Sequence, residues 1–196
     1  MTLNFSDRQL EIIDASAKLL TNSGVSGLTI KNLAKAMHFS ESAIYRHFTS
    51  KEEIILAMLG FVLQNVDKGF LEKVQPENTA TAKLKQLFKN QFSFFQQHPH
   101  LAVAIFSDGL LEESQAINEQ IILIMGTRRK LIEPIIADGQ QNEEFTKAIK
   151  AEEIVHIIMG AVRLHMYKWR IEHFQQDVTK TGSKLIDSLL KLIIVA

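Results

Sequence analysis

Lys31, Lys35, Arg46 and Lys51 fall within residues 28–54, and up to residue 51 only Glu41 opposes them, four cations against one carboxylate, a local charge near +3. Cations grouped this tightly suit a polyanion. Lysine meets a phosphate as a point charge, and arginine can also fork onto the edge of a guanine. Hydroxyls stand among them at Thr29, Ser40, Ser42 and Tyr45, with the imidazole of His47 beside them. Such groups hydrogen-bond both phosphate oxygens and base edges.

Contacts of this kind need rigid elements to aim them. The run LTIKNLAKAMHFSESAIYRHFTSKEEI, residues 28–54, has the spacing of two short helices joined by a tight turn, with a third helix following at once. Thr29 is placed to cap the first helix, whose Ile30, Leu33, Ala34 and Met37 share one side. Ser40 is placed to cap the second. Ala43, Ile44 and Phe48 then face inward, and Ser42, Tyr45, Arg46 and His47 face out. Ser50 followed by Glu53 reads as a capping box, so a new helix begins at Lys51. This is the helix-turn-helix arrangement that pushes one helix into the DNA major groove. The helix starts at Thr29 and Ser50 add unpaired N–H groups and partial positive charge that suit a phosphate. On this reading Tyr45 and Lys51 hold phosphates, while Glu41, Ser42 and Arg46 meet base edges.

The stretch resembles the DNA-binding half of the TetR/AcrR family of bacterial transcriptional regulators. Gly24, Leu28, Thr29, Leu33, Ala34, Ser40, Ala43, Ile44, Tyr45, His47, Phe48, Ser50, Lys51 and Glu52 carry the resemblance, over roughly residues 6–62. Its most specific part is Tyr45-Arg46-His47-Phe48 followed by Ser50-Lys51-Glu52. One position departs from the family pattern: His38 stands in the turn where the family usually has Gly, a place that tends to need positive φ. The resemblance implies a helix-turn-helix domain over residues 1–50 and a larger ligand-binding and dimerisation domain over 51–196.

The composition sets bounds. With 196 residues and 46% hydrophobic content the chain can bury a sizeable core. It has no Cys, which excludes a disulfide framework and thiol catalysis, and it shows no signal peptide or long uncharged apolar run. A cytoplasmic protein with no membrane partner is expected. Zero net charge argues against indiscriminate DNA coating but leaves room for a binder with its charge on one face. Three prolines and few alternating runs predict an all-α fold of about nine helices.

Along the chain, Ser6 is placed to cap a first helix to about Asn22, with Leu10, Ile13, Ala17 and Leu20 inside and Gly24 as its stop. A fourth helix is expected from Lys51 to about Lys73, with Ile55, Leu59, Val62, Val66 and Phe70 along one stripe, and a turn at residues 75–78. A fifth spans about Thr79 to Gln97 and a sixth Leu101 to Phe106, followed by a loop at Ser107-Asp108-Gly109. A seventh covers Glu113 to Asp138, bent at Pro134 and stopped by Gly139. The eighth and ninth run from about Lys150 to Phe174 and Val178 to Ile194.

These last two helices carry Ile157, Ala161, Leu164, Ile186, Leu189, Leu190 and Ile193, a surface that is either core or a dimer interface. A helix-turn-helix acts in general as a two-fold dimer on a palindrome, and the family pairs these helices into a four-helix bundle. Five Phe residues, at 88, 92, 94, 95 and 106, concentrate in the fifth and sixth helices. Plain core packing accounts for them. The family resemblance instead implies a ligand pocket among the fourth to eighth helices. Phe61, Phe88, Phe92, Phe95, Phe106 and Met125 would line it, with Arg128 and His165 as polar anchors and Trp169 as a wall. Its ligand would be lipophilic or aromatic rather than a sugar or nucleotide.

No pair of the seven His residues has i, i+4 spacing, so neither metal nor cofactor is expected. No nucleophile elbow or Gly-rich loop suggests an enzyme. The expected function is a transcriptional regulator, a repressor released from a palindromic operator by an apolar ligand. An activator, a division-linked DNA binder, and an enzyme or scaffold with a merely structural motif remain as rivals.

Overall fold

The computed structural model describes residues 4–71, 79–106, 108–110 and 113–195, and its side chains except at 66–71 and 108. The turn expected at residues 75–78, the end of the fourth helix near Lys73 and Ser107 lie outside the described residues, as do the side chains of the stripe positions Val66 and Phe70. Among those described, nine α-helices account for the structure: α1 (Asp7–Gly27), α2 (Ile30–Met37), α3 (Glu41–Tyr45), α4 (Lys51–Leu71), α5 (Ala80–Gln97), α6 (Pro99–Phe106), α7 (Gln115–Gln141), α8 (Ala151–Ile171) and α9 (Val178–Ile193). A 3₁₀ turn, Asp108–Leu110, precedes α7, and one isolated β-bridge joins Phe145 to Ile194. The fold class is all-α. No described helix is long and apolar enough to cross a membrane.

The chain forms two compact units, one of Met1–Gln64 and His98–Leu123, the other of Asn65–Gln97 and Ile124–Ala196. The first unit therefore holds α6 and the start of α7 together with the helix-turn-helix. Its core joins Ile12, Ile13, Ala17 and Leu20 of α1 to Leu33, Ile44, Phe48, Ile55 and Met58, and to Leu101, Val103 and Ala104 of α6. Ser6 and Gln9 close a capping box at the start of α1. The regular helix ends as expected at Gly24, whose φ of 65° and ψ of −173° break it.

In the second unit α5 packs along α9, and α9 also packs on α8. Gly182 of α9 makes the first contact possible, because a Cβ there would stand 2.5 Å from the Phe92 ring. The Glu144 carboxylate caps α5 by accepting from the Ala80 and Thr81 N–H groups at 2.8 and 2.7 Å. Gly139 does not stop α7, which runs through it and through the exposed Pro134 to Gln141. Its role is close approach: a Cβ would stand 2.3 Å from the Phe145 ring and 2.9 Å from Ala80. The left-handed residue that follows α7 is Glu143, with φ 61°.

Candidate nucleic-acid interface

The helix-turn-helix is assembled from local caps. Thr29 Oγ1 accepts from Asn32 N–H at 3.1 Å, and Ser40 Oγ accepts from Ala43 N–H at 3.2 Å. Between them His38 takes φ 56° and ψ 39°, the left-handed conformation that its departure from Gly pointed to. That geometry lets Phe39 N–H reach Ala34 O at 2.8 Å, which closes the end of α2 and turns the chain into α3. The helix α3 is only Glu41–Tyr45, but His47 and Phe48 N–H both return to Ile44 O, so a further turn is held. Ile44 and Phe48 are buried and fix its orientation.

What faces out is the set chosen for DNA contact. Glu41, Ser42, Tyr45 and Arg46 are exposed, and His47 is half-buried with its carbonyl against Gln9 Nε2 at 3.5 Å. Ser40 and Ser42 share a hydroxyl hydrogen bond of 2.9 Å. Lys31 and Lys35 are exposed on α2. Lys51 differs: its Nζ lies 2.7 Å from Glu113 Oε2 and 3.1 Å from Val25 O. The ammonium assigned to a phosphate is thus engaged inside the protein. Ser50 caps α4 through Glu53 N–H at 3.1 Å, but the Glu53 carboxylate reaches the N–H and hydroxyl of Thr49 instead of closing a box on Ser50. The Thr49 bonds outweigh burial and lower the Glu53 pKa.

The candidate ligand residues divide between the units. Phe61 and Phe106 are half-buried in the first, with Phe61 edge-on to His98 at 6.2 Å. Phe88, Phe92 and Phe95 are buried in the second. There Arg128 donates to Gln91 Oε1 at 2.6 Å and stands 5.8 Å over the Phe88 ring. His165 bonds Thr181 Oγ1 at 3.1 Å and meets Phe92 edge-on at 6.0 Å. Desolvation lowers its pKa first, and Lys168 adds to that. Trp169 is buried, its Nε1 donating to Gln176 O at 2.8 Å. Met125 is 51% exposed and so lines no interior space in this structure. The sequence reading missed Gln91, although it falls in register with Leu84, Phe88 and Phe95 on the buried face of α5.

The candidate dimer residues also divide. Ile157 and Leu164 are 50% and 68% exposed on α8, and Ala161 is half-buried between them. Among the described residues, a Cβ added at the nearby Gly160 would meet nothing within 4 Å. Ile186, Leu190 and Ile193 are buried within the chain itself, and Leu189 is half-buried. Leu192 of α9 is 75% exposed.

Residues 12–58 match the family model of bacterial regulatory proteins, tetR family, and residues 61–196 match that of the YsiA-like protein, C-terminal region. The chain belongs to the TetR family. It is a DNA-binding transcriptional regulator of that family. The nucleoid occlusion factor SlmA of Marinomonas sp. (strain MWYL1) is 24% identical over 162 residues, 81% of this chain and 82% of that one. The fatty acid metabolism regulator protein of Bacillus subtilis (strain 168) is 20% identical over 186 residues, 93% and 94% of the two chains. Among solved structures, the ketosteroid transcriptional regulator KstR2 of Mycobacterium tuberculosis superposes with a TM-score of 0.84 at 18% identity, covering 98% of both chains. FadR from Bacillus subtilis in complex with stearoyl-CoA does so with 0.77 at 19%, covering 92% of this chain and 97% of that one. These likenesses establish the fold of this TetR-family protein.

Proposed function

We propose that this regulator is a cytoplasmic repressor that binds a palindromic operator as a homodimer and is released by an apolar, acyl-bearing ligand. The observation that carries the reading is the outward set on α3, where Ser42, Tyr45 and Arg46 stand exposed on a helix anchored by buried Ile44 and Phe48. Tyr45 and the capped starts of α2 and α3 serve phosphates, and Ser42 and Arg46 serve base edges. Lys31 and Lys35 add positive charge beside them. A two-fold pair presents two such helices about 34–36 Å apart, one turn of the duplex. The outward stripe of α8, with Ile157 and Leu164, supports the pairing.

For the ligand, the Phe layer of α5 and the Arg128–Gln91 pair support a mostly apolar site with one polar anchor. The structural neighbour holding stearoyl-CoA and the relative named for fatty acid metabolism support an acyl chain. A ligand that prefers one arrangement of the dimer lowers operator affinity by its differential affinity for the two states. Stearoyl-CoA, stearate and coenzyme A alone are the probes. Thermal stabilisation together with loss of operator anisotropy is expected for the acyl compounds. If coenzyme A alone stabilises as well as stearoyl-CoA, the apolar reading fails.

The relatives named nucleoid occlusion factors favour a second reading, DNA binding that serves nucleoid occlusion instead of a promoter. Chromatin immunoprecipitation separates the two. Occupancy of a few promoters supports the repressor, and many sites away from promoters support occlusion.

A further inference from the structure

We infer that Glu113 is a positioning residue for the DNA-reading surface, acting through Lys51. Lys51 is the first residue of α4, where a lysine is well placed for a phosphate. Its ammonium instead bonds Glu113 Oε2 at 2.7 Å and Val25 O at 3.1 Å, with both charged side chains about 30% exposed, 30% for Lys51 and 31% for Glu113. An ammonium has three donors, and two are spent on these partners. The Val25 carbonyl follows the break at Gly24 and also accepts from Leu28 N–H at 3.2 Å. Leu28 is buried and immediately precedes Thr29, the cap of α2. Lys51 thus ties the turn that launches α2 to the start of α4, and α3 lies between the two.

Glu113 supplies the other anchor. Its N–H donates to Leu110 O at 3.2 Å, which holds it in the turn ahead of α7. The 3₁₀ turn and α6 before it pack on α1, and His100 Nδ1 lies 3.1 Å from Thr21 Oγ1. The carboxylate is therefore presented from a segment fixed to α1 independently of Lys51. A carboxylate this close also cancels most of the ammonium's field at a phosphate. A partly exposed pair adds little to global stability, whereas groove contacts tolerate only about 0.5 Å of misplacement. The effect of the pair falls on DNA binding, not on folding.

This rests on DNA binding by the helix-turn-helix, which selecting a tight duplex from random DNA with the wild-type chain establishes separately. Operator affinity is then measured by anisotropy across a salt series for Glu113→Gln, Lys51→Met, both together, and the swap Lys51→Glu with Glu113→Lys. Each single variant is expected to bind about two- to fivefold more weakly, the range such a pair transmits, with the wild-type salt slope kept. Glu113→Gln removes a negative charge near DNA, so a simple charge effect would tighten binding. The double variant is expected to be no weaker than Lys51→Met, and the swap to bind better than Lys51→Glu alone. Melting temperatures within a few degrees of wild type show that folding is not the cause. The inference is overturned if Glu113→Gln leaves affinity unchanged or tightens it. It is equally overturned if Lys51→Met lowers the salt slope by about one phosphate, or if the swap rescues nothing.

Discussion

Leu164 is the residue whose replacement tests two-fold assembly without entering the subunit's own core. It lies on α8 and is 68% exposed, four residues from Gly160 and seven from Ile157 on the same outward stripe. Full burial of a leucine side chain contributes about 2 kcal/mol, so the two thirds still exposed are worth roughly 1.4 kcal/mol when a partner covers them. A two-fold axis brings two copies to the interface, and Leu164→Ser therefore costs the dimer about 3 kcal/mol, roughly a hundredfold in its dissociation constant. Sedimentation velocity over a dilution series measures this directly. The control is Leu190→Ser on α9, 2% exposed, which creates a cavity inside the subunit and lowers the melting temperature instead. An unchanged dissociation constant for Leu164→Ser, with the fold intact, would refute the placement of the interface on α8. A wild-type chain that stays monomeric at micromolar concentration would refute dimerisation itself.

Further expectations concern the DNA face, the turn and the α5 cap. Arg46→Ala is expected to relax preference at one base pair by about 1–3 kcal/mol, while Tyr45→Phe weakens all duplexes alike; anisotropy on single-base operator variants distinguishes them. His38→Gly removes the cost of a left-handed L-residue, about 1 kcal/mol, and should raise the melting temperature by about 2–4 °C, whereas a lower value would contradict the strain. At Glu144 burial works against ionisation, but hydrogen bonds from Thr81, Ala80 and Thr79 outweigh it and hold the pKa below the ordinary 4.5. A depressed carboxylate contributes stability that is fully present above its ordinary pKa and lost as pH falls through the lower folded value. The melting deficit of Glu144→Gln should therefore be largest near neutrality and vanish in acid; a deficit constant with pH would show that the charge plays no part.

The helix-turn-helix was legible because its determinants are local. Thr29, Ser40 and Ser50 each satisfy an N–H three residues away, so the hydrogen bond that starts the helix is written within one turn of sequence. The periodicity of Ile44 and Phe48 likewise settles which side of α3 is buried, and so which side Ser42, Tyr45 and Arg46 occupy. The left-handed turn at His38 follows from the same short-range geometry. Gly139 shows the limit. A glycine serves either a positive φ or a close approach, and the Phe145 ring that demands the second folds back onto it from beyond the end of α7. Helix α9 shows it again. Its apolar stripe says that something covers Ile186, Leu190 and Ile193, but only the match of Gly182 to Phe92 shows that α5 packs against this helix. Lys51 meets Glu113, and Arg128 meets Gln91 across 37 residues. Caps and periodicity bind neighbours along the chain and are readable from spacing. Partners brought together by packing depend on surfaces that exist only once the helices have assembled, and no spacing rule reaches that far.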